Sequence, residues 1–474
     1  MESLVRTTLY LPAIVLGFAL AVLAGCQSYE PRPLDPGGHI DAWSSRSPSD
    51  ESFRMFLDAL DTQAHPGSFD LSDGIHLHEA ERIALFYNPD LRLARLRAGV
   101  RAGVAEFSGR WDDPEFSVDA LRVTENVPDE WIIGSSLTVT IPISGRLRAE
   151  RDRAEASLRA ALSGVVEEEW AVRSRVRDAW YEWSATRLRE ERIGALLGSV
   201  SALLGSADRL GEAGELPSDQ VSLITIEGLN LKRAHQRLRA DGFEQEQRLR
   251  ALMGLSPEPE LRLIPSLSVP DPIEVPDHET LIENHPTLVK LRDEYEVAEA
   301  TLLREIRAQY PDLTIGPMYE SDQGQSRIGF VGGIPLPILN SNARGIAEAR
   351  GERALARARY ETALERVLHD IAVARARVEQ SAIQRAMYES EIVPLVDRQL
   401  EDAQRLLDLG ESDGMVLLES ITLAGETSME MIETRLEESR AANALRTLVG
   451  PAPRAVSSVH TTNTKNEMRS EVQP

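Results

Sequence analysis

The strongest constraint on the fold is an internal repeat that spans most of the chain. Residues 88–91 read Asn-Pro-Asp-Leu and residues 285–288 read His-Pro-Thr-Leu, an offset of 285 − 88 = 197 residues. The ends of the copies match too, because Leu-Arg-Ala-Leu-Met-Gly at 249–254 corresponds to Leu-Arg-Thr-Leu-Val-Gly at 445–450. Self-similarity that holds its register over such a length predicts two copies of one structural plan.

The repeat divides the 474 residues into segments. Prolines between the copies block helix continuation and favour an extended connector. The predicted segments are an N-terminal signal peptide (1–25), a polar N-terminal segment (26–76), copy one (77–256), a Pro-rich linker (257–277), copy two (278–451) and a disordered tail (452–474). The N-terminal segment matches neither copy, and we expect it to wrap the helices or to stay partly disordered.

Each copy is predicted to contain a helix, a strand pair and two long antiparallel helices. From Arg146 to Leu210 a helix would extend on the order of 100 Å at ~1.5 Å per residue. Its apolar residues fall on one heptad lattice, which predicts coiled-coil packing against a neighbouring helix. The lattice comprises Leu158, Leu162, Val165, Val172, Val176, Ala179, Trp183, Ile193, Leu197, Val200, Leu204 and Ala207.

Copy two repeats this plan with one irregularity. Its stripe is carried by Val367, Ile371, Ala374 and Val378, but Pro394 follows within the same helical run and is expected to kink or restart the helix. Gly-bearing turns at 211–218 and 409–414 are predicted to join the two long helices of each copy.

Two strand pairs are predicted at 115–124 with 131–143, and at 312–320 with 327–338. Apolar residues alternate with small or polar ones, as in Ile328, Phe330, Ile334 and Leu336 opposite Gly329 and Gly333. Strands of ~9–11 residues with one apolar face are typical of lipid-embedded barrels, although half-buried soluble strands alternate as well. Four strands are too few to close such a barrel, so several copies would have to share one.

Composition agrees with a mainly α fold that has a small β part. Charged residues make up 27% of the chain and aromatic residues only 5%, so long surface-rich helices are favoured over compact globular cores. The formal net charge of −24 disfavours nucleic acid as a partner, because phosphate binding needs concentrated positive charge.

A search for catalytic chemistry finds no convincing set of residues. His76, His78 and Glu79 match no strong metal-ligand spacing. The sequence contains no Gly-x-Ser-x-Gly motif and no phosphate-binding loop. We therefore predict no enzyme activity, no cofactor and no metal.

The N terminus carries a secretory signal. The apolar run from Leu9 to Leu23 is too short for a comfortable membrane span of ~20 residues and ends in Leu-Ala-Gly-Cys at 23–26. This ending resembles the bacterial lipobox, which implies that Cys26 is lipidated, and Gln27 after it implies the outer membrane.

Together these features resemble the TolC-like outer-membrane efflux protein family, in its lipoprotein branch. The resemblance rests on the lipobox, the duplicated Asn-Pro or His-Pro helix, the Pro-bounded strand pairs, the Arg146 entry into the long helix and the Gly-Glu turns. It covers nearly all of the mature chain, and the ordered set of motifs is specific where no single motif is.

The resemblance implies a homotrimer in which each protomer gives four strands to a shared outer-membrane β-barrel. The helices would continue as an α-barrel tunnel into the periplasm, and a periplasmic adaptor and an inner-membrane pump would be the partners. The chain would be a passive conduit in the bacterial cell outer membrane, anchored to its lipid. The adaptor-docking turns carried over from the family are Gly214, Glu215, Leu216, Pro217 and Ser218 in copy one and Gly410, Glu411, Ser412 and Asp413 in copy two.

The residues alone leave one alternative of a different class open. A periplasmic coiled-coil lipoprotein could scaffold the envelope without a pore, and its strands would then be soluble. That scaffold predicts membrane attachment through the lipid alone, whereas the channel predicts that residues 115–143 and 312–338 are needed for assembly and export.

Overall fold

The computed structural model describes residues 29–61, 69–124, 131–212, 216–258, 261–267, 272–322, 325–409, 411 and 414–451. The described residues fall into two compact units that divide after Arg46. The first unit contains helix α1 (Pro36–Ser44), which begins where Asp35 Oδ1 accepts a hydrogen bond of 3.0 Å from the Gly38 N–H. Everything below concerns the second unit.

The elements of the second unit follow one order twice. Copy one is preceded by α2 (Glu51–Asp61) and comprises α3 (Leu77–Tyr87), α4 (Pro89–Phe107), β1 (Glu115–Arg122), β2 (Trp131–Ile141), α5 (Arg146–Glu212) and α6 (Ser218–Met253). Copy two comprises α7 (His278–Asn284), α8 (Pro286–Arg307), β3 (Leu313–Asp322), β4 (Gln325–Gly333), α9 (Ala343–Met387), a π-helical turn (Tyr388–Ile392), α10 (Val393–Asp408) and α11 (Gly414–Val449). The mainly helical fold with a small sheet is confirmed.

Helix α5 is the longest element, with 67 residues and no proline inside it. Half of the predicted heptad positions are buried, namely Val165, Val172, Val176, Trp183, Val200 and Ala207. The middle of the helix is buried on more than one side, because Trp180, Tyr181, Ser184 and Ala185 are buried as well. The middle of helix α5 is therefore surrounded by other helices. Towards its C-terminal end, the helix packs against its neighbours mainly through the apolar stripe.

Short and long helices stack end to end, so that the helices form four columns. The Asn88 side chain, at the start of α4, donates a 2.7 Å hydrogen bond to the Leu252 carbonyl near the end of α6. Gly254 follows α6 with a φ of 72°, and a Cβ there would lie 2.0 Å from the Tyr87 carbonyl oxygen, so the approach requires glycine. Helix α11 meets α8 in the same way, at Gly450 and Pro286.

These columns pack side by side as one wall. Nearest the sheet, neighbouring helices contact in the order α4, α5, α8, α9. Farther from the sheet, the order is α6, α5, α11 and then α9 with α10. Helix α5 thus contacts helices of both copies, and the two copies form one structure.

The four strands form one antiparallel sheet in the order β1-β2-β3-β4. The sheet joins the helical wall at the end where α4, α5, α8 and α9 begin or end. The fourth strand stops at Gly333, although the alternating pattern predicted it to continue to residue 338. Pro335 and Pro337 lack the N–H that a further ladder bond needs, which leaves Ile334 and Leu336 outside the sheet.

The described part of the N-terminal segment from Ser47 onwards packs closely on copy one. Phe53 of α2 is fully buried and lies in a cluster of aromatic rings with Phe56, Phe69, Phe86 and Tyr87. The Tyr87 hydroxyl donates a 2.7 Å hydrogen bond to Asp50. Although residues 26–76 are polar on average, this part contributes apolar anchors to the core.

Candidate functional site

The register of the sheet sorts its side chains onto two different faces. One face is predominantly apolar and consists mainly of Phe116, Val118, Ala120, Trp131, Ile133, Leu137, Val139, Ile141, Leu313, Ile315, Pro317, Tyr319, Ile328 and Phe330. Ile328 and Phe330 are 87% and 81% exposed, so nothing described in the protomer covers this face. An exposed apolar face that extends across all four strands is suited to contact with lipid or with another protein.

The opposite face is mostly polar or small. Ser117 and Ser136 lie opposite each other with their hydroxyl oxygens 2.7 Å apart, and Thr140 and Thr314 follow at 3.2 Å. Arg327 binds Glu320 on the neighbouring strand, with an Nη1–Oε1 distance of 3.0 Å. A sheet with one apolar and one hydrophilic face can separate lipid from water.

The sheet has two open edges. Strands β1 and β4 are its first and last members, and within the described residues neither has a neighbour on its outer side. Unpaired backbone N–H and C=O groups at such edges pair readily with another strand and are very costly in lipid. A sheet with such open edges would need further strands to be stable in a membrane.

An ionic junction joins the sheet to the wall. The Arg146 guanidinium, at the first residue of α5, binds Asp112 (2.8 Å, before β1) and Asp312 (2.7 Å, before β3). Partial burial alone would lower the pKa of Arg146, but the hydrogen bonds to the two carboxylates outweigh it and raise that pKa. One side chain thus ties both strand pairs to the longest helix.

The sequence did not predict this junction. Asp112 and Arg146 are 34 residues apart, and no motif in the sequence pairs them. Asp312 is 166 residues from Arg146, and only the three-dimensional fold shows that the two meet. A second pair lies one helical turn further on, where Glu150 binds Arg153 and, at 3.2 Å, Arg304 of α8.

The far end of the wall holds the described part of the predicted docking turns. Leu216 is half-buried, whereas Pro217, Ser218 and Glu411 are exposed. Gly214, Glu215, Gly410, Ser412 and Asp413 lie outside the described residues, as does the predicted lipidation site Cys26. The exposed members are available to a partner, and Leu216 faces inward.

An apolar cluster holds the two helical hairpins together just inside these turns. Its buried members are Val200, Leu203, Ala207, Ile224, Ala403, Leu417, Leu418 and Ile421, which come from α5, α6, α10 and α11. Leu216 packs against the cluster, and a Cβ at Gly414 would lie 3.8 Å from the Leu203 side chain. Both turns are therefore at the same end of the wall and are held in fixed proximity.

Copy two has a π-helical turn about a third of the way back from this end. The Val393 N–H donates to the Tyr388 carbonyl, five residues earlier, and Pro394 follows directly. Pro394 has no N–H to donate and its ring would clash with an α-helical carbonyl, which the wider turn avoids. Where the sequence predicted a kink or a restart, the helical run continues past Pro394 by way of this wider turn.

Four charged residues bridge the π-helical turn to α11. Arg385 binds Glu438 at 2.7 Å and Glu389 at 2.6 Å, and Arg435 binds Glu389 at 2.9 Å. Partial burial would raise the pKa of Glu389, but the hydrogen bond from Arg435 and the nearby Arg385 charge lower it. Nothing in the sequence pattern singled out this network, although all four residues lie at helical spacing.

Glu79, one of the three residues considered as metal ligands, has a structural role. Glu79 is buried and accepts hydrogen bonds from the backbone N–H groups of His76 (2.8 Å) and Asp70 (3.1 Å), so it caps the start of α3. Across the described residues, no group of three or more potential ligands is close enough to hold a metal ion. In the same part of the chain, no helix is long and apolar enough to cross a membrane.

A helical wall of about 100 Å, built from two copies of one order of elements and joined at one end to a two-faced four-stranded sheet, is the fold of the TolC-like outer-membrane channels. Solved structures share it. The Campylobacter jejuni CmeC outer membrane channel superposes with a TM-score of 0.69 at 13% identity, over 94% of this chain and 97% of CmeC.

Two further channels give the same result. The Neisseria gonorrhoeae MtrE outer membrane channel in its open state matches with a TM-score of 0.66 at 14% identity, over 82% of this chain and 94% of MtrE. The Vibrio cholerae outer membrane protein VceC matches with a TM-score of 0.65 at 19% identity, over 79% of this chain and 96% of VceC. No protein-family model matches the chain, and no curated protein sequence does. At these identities the similarity establishes the fold.

Proposed function

We propose that this chain is the passive outer-membrane channel of a tripartite efflux or export system, and that it acts as a homotrimer. The observation that carries the proposal is the sheet, which has an exposed apolar face, a hydrophilic face and two open edges at one end of a long helical wall. Three copies would give 4 × 3 = 12 strands and pair every open edge. The apolar face would then contact lipid, and the hydrophilic face would line the pore.

The helical wall supports the second half of the conduit. Joined side by side, three copies of the four-column wall would close into a tunnel about 100 Å long, using the 67 residues of α5 as its length. The driving force would come from an inner-membrane pump. A periplasmic adaptor would bind at the far end of the tunnel. The lipid on Cys26 would add a second attachment to the outer membrane.

The two faces of the sheet allow a matched test of the barrel. Val118→Arg places a charge on the apolar face of the sheet. Ser117→Arg, at the adjacent residue, places the same charge on the hydrophilic face. We expect Val118→Arg to reduce the trimers extracted from outer membranes in mild detergent, because a charge facing lipid costs about 2–4 kcal/mol per site at the bilayer midplane. Ser117→Arg should assemble and change conductance in planar bilayers.

The envelope-scaffold alternative makes the opposite prediction for the same pair. If the sheet were soluble, neither arginine would affect assembly, and the wild-type protein would be monomeric and non-conducting. A monomer of about the 52.5 kDa chain mass would therefore refute the channel.

The docking turns can be tested separately. A photo-crosslinking residue at position 218, in the exposed turn, should capture the adaptor in cells. The same residue at Arg237, which is exposed in the middle of α6, serves as the control. Equal capture at both positions, or capture at 237 alone, would place the adaptor elsewhere.

A further inference from the structure

The part of the helical wall nearest the sheet contains a broad groove that is separate from the features described above. Its volume is about 980 Å³, and it is lined by α4, α5, α8 and α9 together. A groove shared by four helices that stand side by side lies on the concave side of the wall. If three such walls close into a tunnel, as in the function proposed above, the concave side is the interior.

The floor of the groove is apolar and made mainly of small residues. Ala94, Ala161, Gly164, Ala298 and Ala356 line it, with Val165 and Leu291 among the larger ones. Small side chains leave room between the helices, so a bulky apolar body could lie against the floor and remove that surface from water. The floor alone does not select a ligand, and the charged residues around it do.

The charged residues formally balance, but their pairing does not. The lining acids are Glu167, Glu168, Glu294 and Glu352, and the lining cations are Arg97, Arg101, Lys290 and Arg359. Lys290 binds Glu167 at 2.8 Å and approaches Glu294 at 3.9 Å. Glu168 is taken by Arg175, which does not line the groove.

Three of the four acids are therefore already engaged. Among the described residues, Arg97, Arg101 and Arg359 have no ion-pair partner, and Glu352 is the remaining free acid. The lining charges sum to zero, but three guanidinium groups keep free N–H donors against one free carboxylate, in a chain whose net charge is −24. Guanidinium groups bind carboxylate, sulfonate and phosphate oxygens with two parallel hydrogen bonds.

We infer that this groove is a binding site for amphiphilic organic anions, with the apolar body on the small-residue floor and the acid group on Arg97 and Arg101. The inference rests on the proposed function, because these anions would be transported molecules that bind transiently to the wall of the tunnel. Arg97 and Arg101 are four residues apart on α4, so both can reach one acid group from the same face of the helix.

The groove can be probed with two dyes that differ by one charge. 8-Anilinonaphthalene-1-sulfonate and N-phenyl-1-naphthylamine share the same aromatic body, and only the first has a sulfonate. Fluorescence titration would use the trimer in lipid nanodiscs, with empty nanodiscs subtracted. We expect saturable binding of the sulfonate, and weaker binding of the neutral dye.

Matched variants locate the site. Arg97→Gln with Arg101→Gln should weaken binding of the sulfonate about tenfold or more, because charge-assisted hydrogen bonds are lost. Arg233→Gln with Arg237→Gln is the control, since these residues have the same four-residue spacing on exposed α6. Glu352→Gln should tighten binding severalfold by removing the free acid.

Three results would overturn the inference: equal affinity for both dyes, equal effects of the two double variants, or binding to monomers but not to trimers. The last result would mean that a neighbouring protomer fills the groove. Conductance is measured on the same samples, so the two proposals can fail separately. A conducting wild type that does not bind the sulfonate refutes the groove alone, whereas a non-conducting one that binds it refutes the channel and with it the cargo role.

Discussion

The two long helical hairpins of the molecule have the same order of elements but differ in the continuity of their first helix. In copy one, α5 runs without interruption through 67 residues. In copy two, the corresponding run is divided into α9, the π-helical turn and α10, and four charged residues tie the division to α11. A repeated architecture thus constrains the packing of the hairpin ends, while the path to those ends depends on single residues such as Pro394.

The junctions between stacked helices differ in the same way. Asn88 accepts hydrogen bonds of 3.0 Å from both the Asp90 and Leu91 N–H groups and also donates to Leu252. His285 takes the corresponding position in copy two and is buried, but neither of its ring nitrogens has a partner within the described residues. Copy one is the better satisfied of the two, and each difference can be tested.

The largest effect should come from removing one residue from each long helix. Deletion of Ser199 in α5 would rotate everything beyond it by about 100°, which takes Val200, Leu203 and Ala207 out of the apolar cluster. We expect this variant to lose the folded hairpin ends, seen as rapid proteolysis at the tips. In copy two, deletion of Ser390 with Pro394→Ala should be tolerated, because a π-helical turn holds one residue more than an α-helix needs. Equal sensitivity of the two helices would contradict this account of the turn.

The next largest effect should distinguish the two helix-stacking glycines. Gly254→Ala must both strain a backbone with φ of 72° and place a methyl group against the Tyr87 carbonyl, at a cost of about 3 kcal/mol or more. Gly450→Ala has similar strain, with φ of 82°, but the nearest atom to its methyl group is Pro286 Cδ at 3.3 Å. We therefore expect the thermal unfolding midpoint to fall clearly further for Gly254→Ala. A larger fall for Gly450→Ala would show that the copy-two junction is the tighter one.

A smaller effect, of opposite sign, is expected when His285 is made to resemble Asn88. His285→Asn should supply the missing cap of α8 and stabilise the protein by about 1 kcal/mol. Burial lowers the pKa of His285 below its usual 6.5, although the Glu167 charge opposes this. Protonation of His285 therefore favours the unfolded chain. The free energy of unfolding is at its full value above pH 6.5, where His285 is neutral in both states, and it decreases as the pH falls through the lower folded-state pKa.

The pH dependence provides the control for this substitution. The advantage of His285→Asn in thermal midpoint should grow between about pH 7.5 and pH 5.5, since asparagine does not titrate in this range. A constant advantage would mean that the cap alone is responsible. No advantage at either pH would show that the imidazole is satisfied in the assembled protein.

The smallest effect should come from the network at the π-helical turn. Glu389→Gln removes a carboxylate that is about one-third exposed, so solvent screening limits the loss to on the order of 0.5–1 kcal/mol. The pKa of Glu389 is lowered below 4.5, which means that its contribution is present above that value and disappears as the pH falls through the folded-state pKa. Wild type and variant should therefore converge in acid. Arg375→Gln, at an exposed pair with Glu379 on α9, is the control and should be silent.

Much of this molecule could be predicted because its signals are local or repeated. The heptad stripe predicted α5, and the matching motifs predicted the internal repeat. Pro394 predicted an irregularity in the long helical run of copy two. The end of β4 was wrong because Ile334 and Leu336 continue the alternating pattern, while the prolines between them remove ladder donors. The alternating pattern describes only the side chains, whereas the strand ends because the prolines lack the backbone N–H that a ladder hydrogen bond needs.

The functional features that were missed depend on long-range contacts. Nothing near Arg146 in the sequence points to Asp312, and the two meet only because α5 and β3 converge at one end of the wall. Leu216 was expected to serve docking, yet it also anchors the turn in the apolar cluster. Phe53 shows the same limit, since a polar average over the N-terminal segment concealed one fully buried ring.

The position of α5 between both copies has a consequence for biosynthesis. Copy one leaves the ribosome first, but one side of α5 is covered by α8 and α11, which follow much later in the chain. That apolar side must remain uncovered until residues near 449 have been made and delivered. We expect the nascent protein to need a holding chaperone over this interval, and a chain cut within the linker to aggregate as two separate halves. The two copies therefore form a single folding unit that cannot be completed before its last helix has been made.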